Sequence, residues 1–399
     1  MPERKLSPAQ QGIRVVSLDS PYSPLQQRLF YMERDPDREW TNIVENVPRW
    51  PAVPPLPLAA RWDDLAAYAA CQGTGPLVDA LVVRERARFS LDASAENVLV
   101  TNGGLHGLSL IFRHLHGRGG LALCQAPVLG AIPAMLRACG YRVEFFEAPG
   151  GEIDADVIAG AAAANLRLIY VNTPHNPSGA ILDTGAIDRL IELAEARGAA
   201  VVADLVYDAF VFGGRDVCNP LARRREWSSL YAVNSMSKNY GAPGLRVGWI
   251  TSSADNVREL AGALEREVIA ISGVAQAHAR ALLEYGNAAL VASVHEGKRF
   301  VESRLASCPA VRASSPAGGS QLAAELPVSD VEGFCDFMLA EHGVGLVSSS
   351  NYEGAARPFV RIPFGCGRES LGRALGLLAA ELEEASAGRG VQTRLGSAS

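Results

Sequence analysis

Lysine is almost missing from this chain of 399 residues, which uses it only at positions 5, 238 and 298 and otherwise relies on arginine. Other features are scarce too. The seven cysteines are scattered, with no CxxC or Cys/His ligand spacing, so neither a disulfide framework nor a metal centre is expected. A net charge of −6 leaves no broad attraction for nucleic acid or an anionic membrane. No window approaches about 18 uninterrupted apolar residues, and the N-terminus "MPERKLSPAQQGIRV" lacks the apolar run of a signal peptide. A cytoplasmic protein that neither crosses membranes nor binds nucleic acid is therefore expected.

What remains is a globular composition, 48% hydrophobic and 20% charged, in a chain longer than one core usually supports. Residues 1 to about 60, closing with "VPRWPAVPPLPL", read as an aromatic, proline-rich arm or linker rather than a helix. From Trp62 onward, short apolar runs alternate with amphipathic stretches: "NVLVTNGG", "GLALCQAP", "RVEFFEA", "LRLIYVNTP", "AVVADLVY" and "LYAVNSMSK" as strands, with helices between, including one over "IDADVIAGAAAA". That alternation predicts an α/β core, a mostly parallel central sheet flanked by helices.

Beyond Arg246 come a long helical passage, the strands "QLAAELPV", "VGLVSSS" and "FVRIPFG", and a closing helix, which read as a smaller α+β domain. The expected division is an arm and small-domain segment over 1–50, a large domain over 51–283, a small domain over 284–388 and a disordered tail over 389–399.

The lysine in "NSMSKNYGAPGLRVGW" stands at a strand end, where parallel sheets expose their ligand crevice. Most lysines are solvated ammonium groups. A desolvated one can instead lose its proton and condense with an aldehyde, which an arginine cannot do. Ser235, Ser237 and Arg246 bracket Lys238 with hydroxyls and a guanidinium, a set suited to phosphate. An amine beside a phosphate site points to pyridoxal 5'-phosphate.

That cofactor needs further partners, and each is available at a strand end. Gly103, Gly104 and Leu105 in "VTNGGLHGL" offer backbone N–H groups at a helix start. Asp204 in "VVADLVYDAF" is a carboxylate among apolar neighbours, costly unless a cation such as a pyridinium faces it. Tyr207, three residues on, and Asn176 in "VNTPHNPSGA" can reach the ring's phenolic oxygen.

With these residues in order, the chain resembles the fold-type I, class I/II aminotransferase family over roughly residues 40 to 385. Its motif S-x-S-K-x-[FY]-G-x-x-G-x-R-x-G is matched by "SMSKNYGAPGLRVG", N-P-x-N-P-[ST]-G by "NTPHNPSG", and D-x-x-Y by "DLVY". The resemblance implies transfer of an amino group between an L-amino acid and a 2-oxo acid, through aldimine and quinonoid intermediates. It makes Lys238 the Schiff-base lysine and proton shuttle, pairs Asp204 with the pyridinium, and sets Asn176 and Tyr207 on the phenolic oxygen. It also implies that Arg361 in "RPFVRIPFG" clamps the substrate α-carboxylate. Tyr68 in "YAACQGTGPLVDAL" would reach the phosphate of a neighbouring subunit, hence a homodimer.

Departures from the family pattern cluster in the pocket. Leu129 in "CQAPVLGAI" occupies the position of the ring-stacking aromatic. Asn46 in "IVENVP" replaces a glycine, and Ser320 and Gln321 in "GGSQLAAEL" replace aromatics, so Asn46 and Gln321 are expected to touch a polar substrate. The same cofactor also supports elimination, replacement or cyclisation at Cβ or Cγ, and such a lyase or cyclase of specialised metabolism is the alternative reading. A non-catalytic regulator on this fold is disfavoured by the joint presence of Lys238, Asp204, Asn176, Tyr207 and Arg246.

Overall fold

A computed structural model describes residues 14–17, 19–56, 62–116, 119–154, 157, 160 and 165–386. Seven apolar runs form one sheet: β1 Val98–Thr101, β2 Leu121–Ala126, β3 Arg142–Glu147, β4 Leu166–Asn172, β5 Ala200–Asp204, β6 Leu230–Ser235 and β7 Gly248–Thr251. Their order across the sheet is β1, β7, β6, β5, β4, β2, β3. The ladders from β6 through β3 are parallel, and only β7 runs against its two neighbours. The α/β architecture expected from the alternating pattern is the one observed.

Side chains alternate between two cores, as the two-residue period of a strand requires. Leu168, Tyr170, Val202, Tyr231, Val233 and Trp249 pack on one face. Ile169, Val171, Val201, Ala203, Leu230 and Ala232 pack on the other. Burial on both faces explains why these runs read as nearly continuous hydrophobic stretches.

A second, antiparallel sheet is built from β8 Arg312–Ala313, β9 Gln321–Glu325, β10 Val347–Ser348 and β11 Val360–Pro363, in the order β8, β9, β11, β10. It packs with Phe334, Met338, Leu371, Leu375 and Leu378 in a core of its own. A two-residue ladder joins Tyr352–Glu353 to Val128–Leu129 and sets Tyr352 opposite Leu129.

The N-terminal reading needs correction. Residues Pro24–Glu33 form a helix, α1, and Thr41–Asn42 pairs in parallel with Val344–Gly345. Ser23 Oγ accepts from Gln26 N at 3.3 Å and Pro24 starts the first turn, both ordinary start signals. The helix is held by Leu25, Leu29 and Met32, which pack in a small apolar core at helical spacing, and by an ion pair. Arg28 is fully buried and donates to Glu332 and to Asp336 Oδ1, the latter at 3.1 Å. The helix expected over residues 153–164 falls largely, and the tail expected over 389–399 wholly, outside the described residues.

Candidate active site

The parallel strands end at a cavity of about 260 Å³, whose lining includes Gly104, Leu105, Leu129, Asn176, Asp204, Tyr207, Ser235, Ser237, Lys238 and Arg246. Sequence register brings them there. Asn172, the last residue of β4, pairs with Asp204, the last of β5, and Ser235 at the end of β6 pairs with Gly248.

Lys238 lies one turn beyond the strand end, in the short helix Met236–Asn239, which Ser235 caps by accepting from Ser237 N at 3.0 Å. Its Nζ donates to the Asn46 carbonyl at 2.6 Å. Burial, followed by the positive charge of Arg361, lowers the amine to a pKa of about 8, against weaker opposite pulls from Glu45 and Cys366.

Across the cavity, burial raises the Asp204 carboxyl to about 6, although it accepts from Val206 N at 3.3 Å and Tyr170 Oη at 3.0 Å. Among the described residues, no cation stands within ion-pair distance of it. An acid of this kind is stabilised by any cation that enters.

At the other end of the cavity the helix Gly104–Leu115, α2, begins without a side-chain cap. Gly103 has φ +78°, and a Cβ there would come within 2.4 Å of Arg246 Nη2, so only glycine leaves room for the guanidinium. Arg246 itself sits in the left-handed region at φ +52°. Its Nη1 reaches Ser237 Oγ at 3.5 Å, and Ser235 Oγ donates to Ser237 Oγ at 2.9 Å. Unsatisfied helix N–H groups, two hydroxyls and a guanidinium together form an anion cradle.

Asn176 precedes a cis proline, and its Oδ1 accepts from Tyr352 Oη at 2.9 Å. The backbone N of Asn176 donates to Asn172 Oδ1 at 2.7 Å, while Asn172 Nδ2 donates to the Asp204 carbonyl at 2.9 Å. Leu129 presents an aliphatic wall to the cavity.

Four expected residues stand beside the cavity rather than on its lining: Gly103, against Arg246, and Arg361, Asn46 and Gln321. Arg361 is buried on β11, donating to the Val44 carbonyl and to Tyr352 Oη, with Nε unpartnered. Asn46 and Gln321 are buried, bonded to each other, and Asn46 Nδ2 donates to Tyr207 Oη at 3.1 Å. Tyr68 is not brought to the cavity of its own chain. It is 82% exposed, beside a surface hollow lined by Thr74 and Gln276.

Sequence reasoning missed Tyr352, Tyr170 and Asn172. Asn172 opens the quoted "NTPHNPSG", so its signal was present; the two tyrosines lie in stretches that carry no motif. Among the described residues, no cluster of three or more His, Cys, Asp or Glu could hold a metal, and no helix is long and apolar enough to cross a membrane.

Comparison with known proteins adds independent findings. The model of the family described as aminotransferase class I and II matches residues 57–378. The L-aspartate:5-guanidino-3-methyl-2-oxopentanoate transaminase of Pseudomonas syringae pv. syringae is 42% identical over 374 residues, covering 93% of this chain and 96% of that protein. The 3-methylarginine biosynthesis aminotransferase ArgM of Streptomyces arginensis is 40% identical over 365 residues, covering 90% and 97%. The solved aspartate aminotransferase of Thermotoga maritima superposes with a TM-score of 0.80 at 24% identity, covering 92% of this chain and all of that one, a likeness of fold.

Proposed function

The chain belongs to the class I and II aminotransferases, which depend on pyridoxal 5'-phosphate, and we propose that it moves an amino group between L-aspartate and a guanidino-bearing 2-oxo acid. The observation that carries the cofactor site is Lys238 and Asp204 facing one cavity, an amine lowered to about 8 and a half-buried carboxyl that no cation among the described residues pairs with.

The residues present fit the cofactor. Asp204 supplies the charge a pyridinium requires, and the bare backbone at Gly103 and Gly104, with Ser235, Ser237 and Arg246, supplies the phosphate end. Asn176 and Tyr207 offer donors for the phenolic oxygen, and Leu129 packs on the ring face. When bound, the cofactor supplies an electron sink for a carbanion at the substrate Cα.

The chain does the rest. Lys238 Nζ is the amine that holds the cofactor's aldehyde and, once released, takes the proton from Cα and returns it elsewhere. Arg361, a buried guanidinium with no carboxylate partner among the described residues, clamps the substrate α-carboxylate. Tyr352 fixes both Asn176 and Arg361 through its hydroxyl.

The substrate assignment is supported by the names of two relatives at 42% and 40% identity, both of which also favour transamination over a lyase or cyclase. Glu45 gives it a chemical counterpart. It is an exposed carboxylate whose charge acts on Lys238, it accepts from Asn42 Nδ2 at 3.3 Å but forms no arginine ion pair among the described residues, and it is suited to a guanidinium at the far end of the substrate. Asn46 and Gln321 are buried beside the cavity, bonded to each other, with Asn46 also on the Tyr207 hydroxyl.

We assign the working unit to a homodimer in which Tyr68 crosses to the partner's phosphate. Its 82% exposure, with Trp62 at 77% and Leu65 at 58% nearby, supports a covered surface. The test is direct. Borohydride treatment of pigmented protein must fix the cofactor at residue 238, and aspartate with a guanidino oxo acid must give stoichiometric oxaloacetate. Turnover of the amino acid without any oxo-acid acceptor would sink the transaminase assignment.

A further inference from the structure

Asn46 is only 4% exposed, and its side-chain amide is fully engaged within the protein. Oδ1 accepts from Ser320 Oγ at 2.8 Å, while Nδ2 donates to Tyr207 Oη at 3.1 Å and to Gln321 Oε1. The orientation of this amide is set from two backbone groups. Ser320 N donates to Gln321 Oε1 at 3.0 Å, and Gln321 Nε2 donates to the His175 carbonyl at 3.2 Å. A backbone N–H and a backbone carbonyl cannot exchange roles, so Gln321 must present its oxygen to Asn46. Asn46 must then present its NH2 to Gln321, and the same NH2 meets Tyr207.

The consequence falls on Tyr207. Its oxygen receives a hydrogen bond from behind, which leaves its own proton to be given forward, into the cavity that it lines. We propose that Asn46 is a positioning residue which, oriented by Ser320 and Gln321, directs the Tyr207 hydroxyl proton at the phenolic oxygen of the bound cofactor. This rests on the assignment of Tyr207 to that oxygen.

A donor on the phenolic oxygen weakens that oxygen's hold on the proton of the nitrogen joined to Lys238. Loss of Asn46 leaves Tyr207 free to turn, so this nitrogen keeps its proton to higher pH. The charged and titratable groups facing the pair are Arg361, Glu45, Cys366 and Arg246 around Lys238, and Arg361, Tyr352 and Asp204 around Tyr207. The substitutions below alter none of them.

The experiment is a pH titration of the visible absorption band of the resting holoenzyme. Asn46→Ala is expected to raise its midpoint by about half to one unit. Ser320→Ala, a smaller change, is expected to move it the same way by less. In a Tyr207→Phe background, Asn46→Ala is expected to move it no further. An unmoved midpoint with a raised KM would mean that Asn46 meets the substrate instead, and would overturn the proposal. An equal shift in the Tyr207→Phe background would overturn it too, since Asn46 would then act by another route. Wild-type protein that never forms the band would overturn the cofactor assignment itself, a failure distinct from either.

Discussion

Tyr352 Oη donates to Asn176 Oδ1 at 2.9 Å and accepts from Arg361 Nη1 at 3.4 Å, so one hydroxyl joins the turn after β4 to the arginine on β11. Removing it leaves a half-buried amide oxygen and a buried guanidinium each short of a partner. Tyr352→Phe is expected to lower kcat/KM by about tenfold, chiefly through KM for the amino acid, because Arg361 loses its aim. Steady-state kinetics check this, and an unchanged KM would contradict it.

Lys238 gives a pH prediction. Its amine, lowered to about 8, is protonated below that pH and neutral above it. Only the neutral form attacks an aldehyde. Capture of added cofactor by apoprotein is therefore expected to accelerate about tenfold per pH unit up to pH 8 and then level off. Stopped-flow absorbance measures it, and Lys238→Arg is expected to capture none.

Asp204 gives a stability prediction with its own sign. Burial raises the folded carboxyl from 3.8 to about 6, so the folded apoprotein binds more protons than the unfolded chain between those values. Its stability then falls as pH rises through that window. Asp204→Asn apoprotein is expected to be more stable than wild type above pH 6, by about 3 kcal/mol, with the gain gone below pH 4. The same variant, loaded, is expected to lose about a hundredfold to a thousandfold in kcat. Thermal melts across pH and turnover rates check the two halves separately.

Glu45 bears on specificity. Glu45→Gln is expected to raise KM for the guanidino substrate about threefold while leaving KM for aspartate nearly unchanged, since an exposed ion pair is worth little. Equal effects on both substrates would remove its role.

Much of this molecule was readable beforehand, and the reasons are local. β4, β5 and β6 are buried on both faces, so their apolar runs announced themselves, and the residues closing them carry motif spacing. The helix Pro24–Glu33 escaped because its short apolar pattern of Leu25, Leu29 and Met32, interrupted by the buried Arg28, gives a weak signal. Tyr170 and Tyr352 escaped for another reason. Each reaches the site from a different element, 34 and 176 residues in sequence from its bonded partner, and only tertiary register brings them there. The orientation of Asn46 toward Tyr207 is likewise a property of the assembled network, invisible in "IVENVP" itself.

The Val44 carbonyl takes its hydrogen bond from Arg361 and the Asn46 carbonyl takes one from Lys238, two residues further along the same backbone. Drawing either cation away leaves a buried backbone carbonyl short of that donor, at a cost of about 1 to 3 kcal/mol unless another donor arrives. Any group that takes up Lys238 or Arg361 must therefore leave this span a replacement donor or bear that loss.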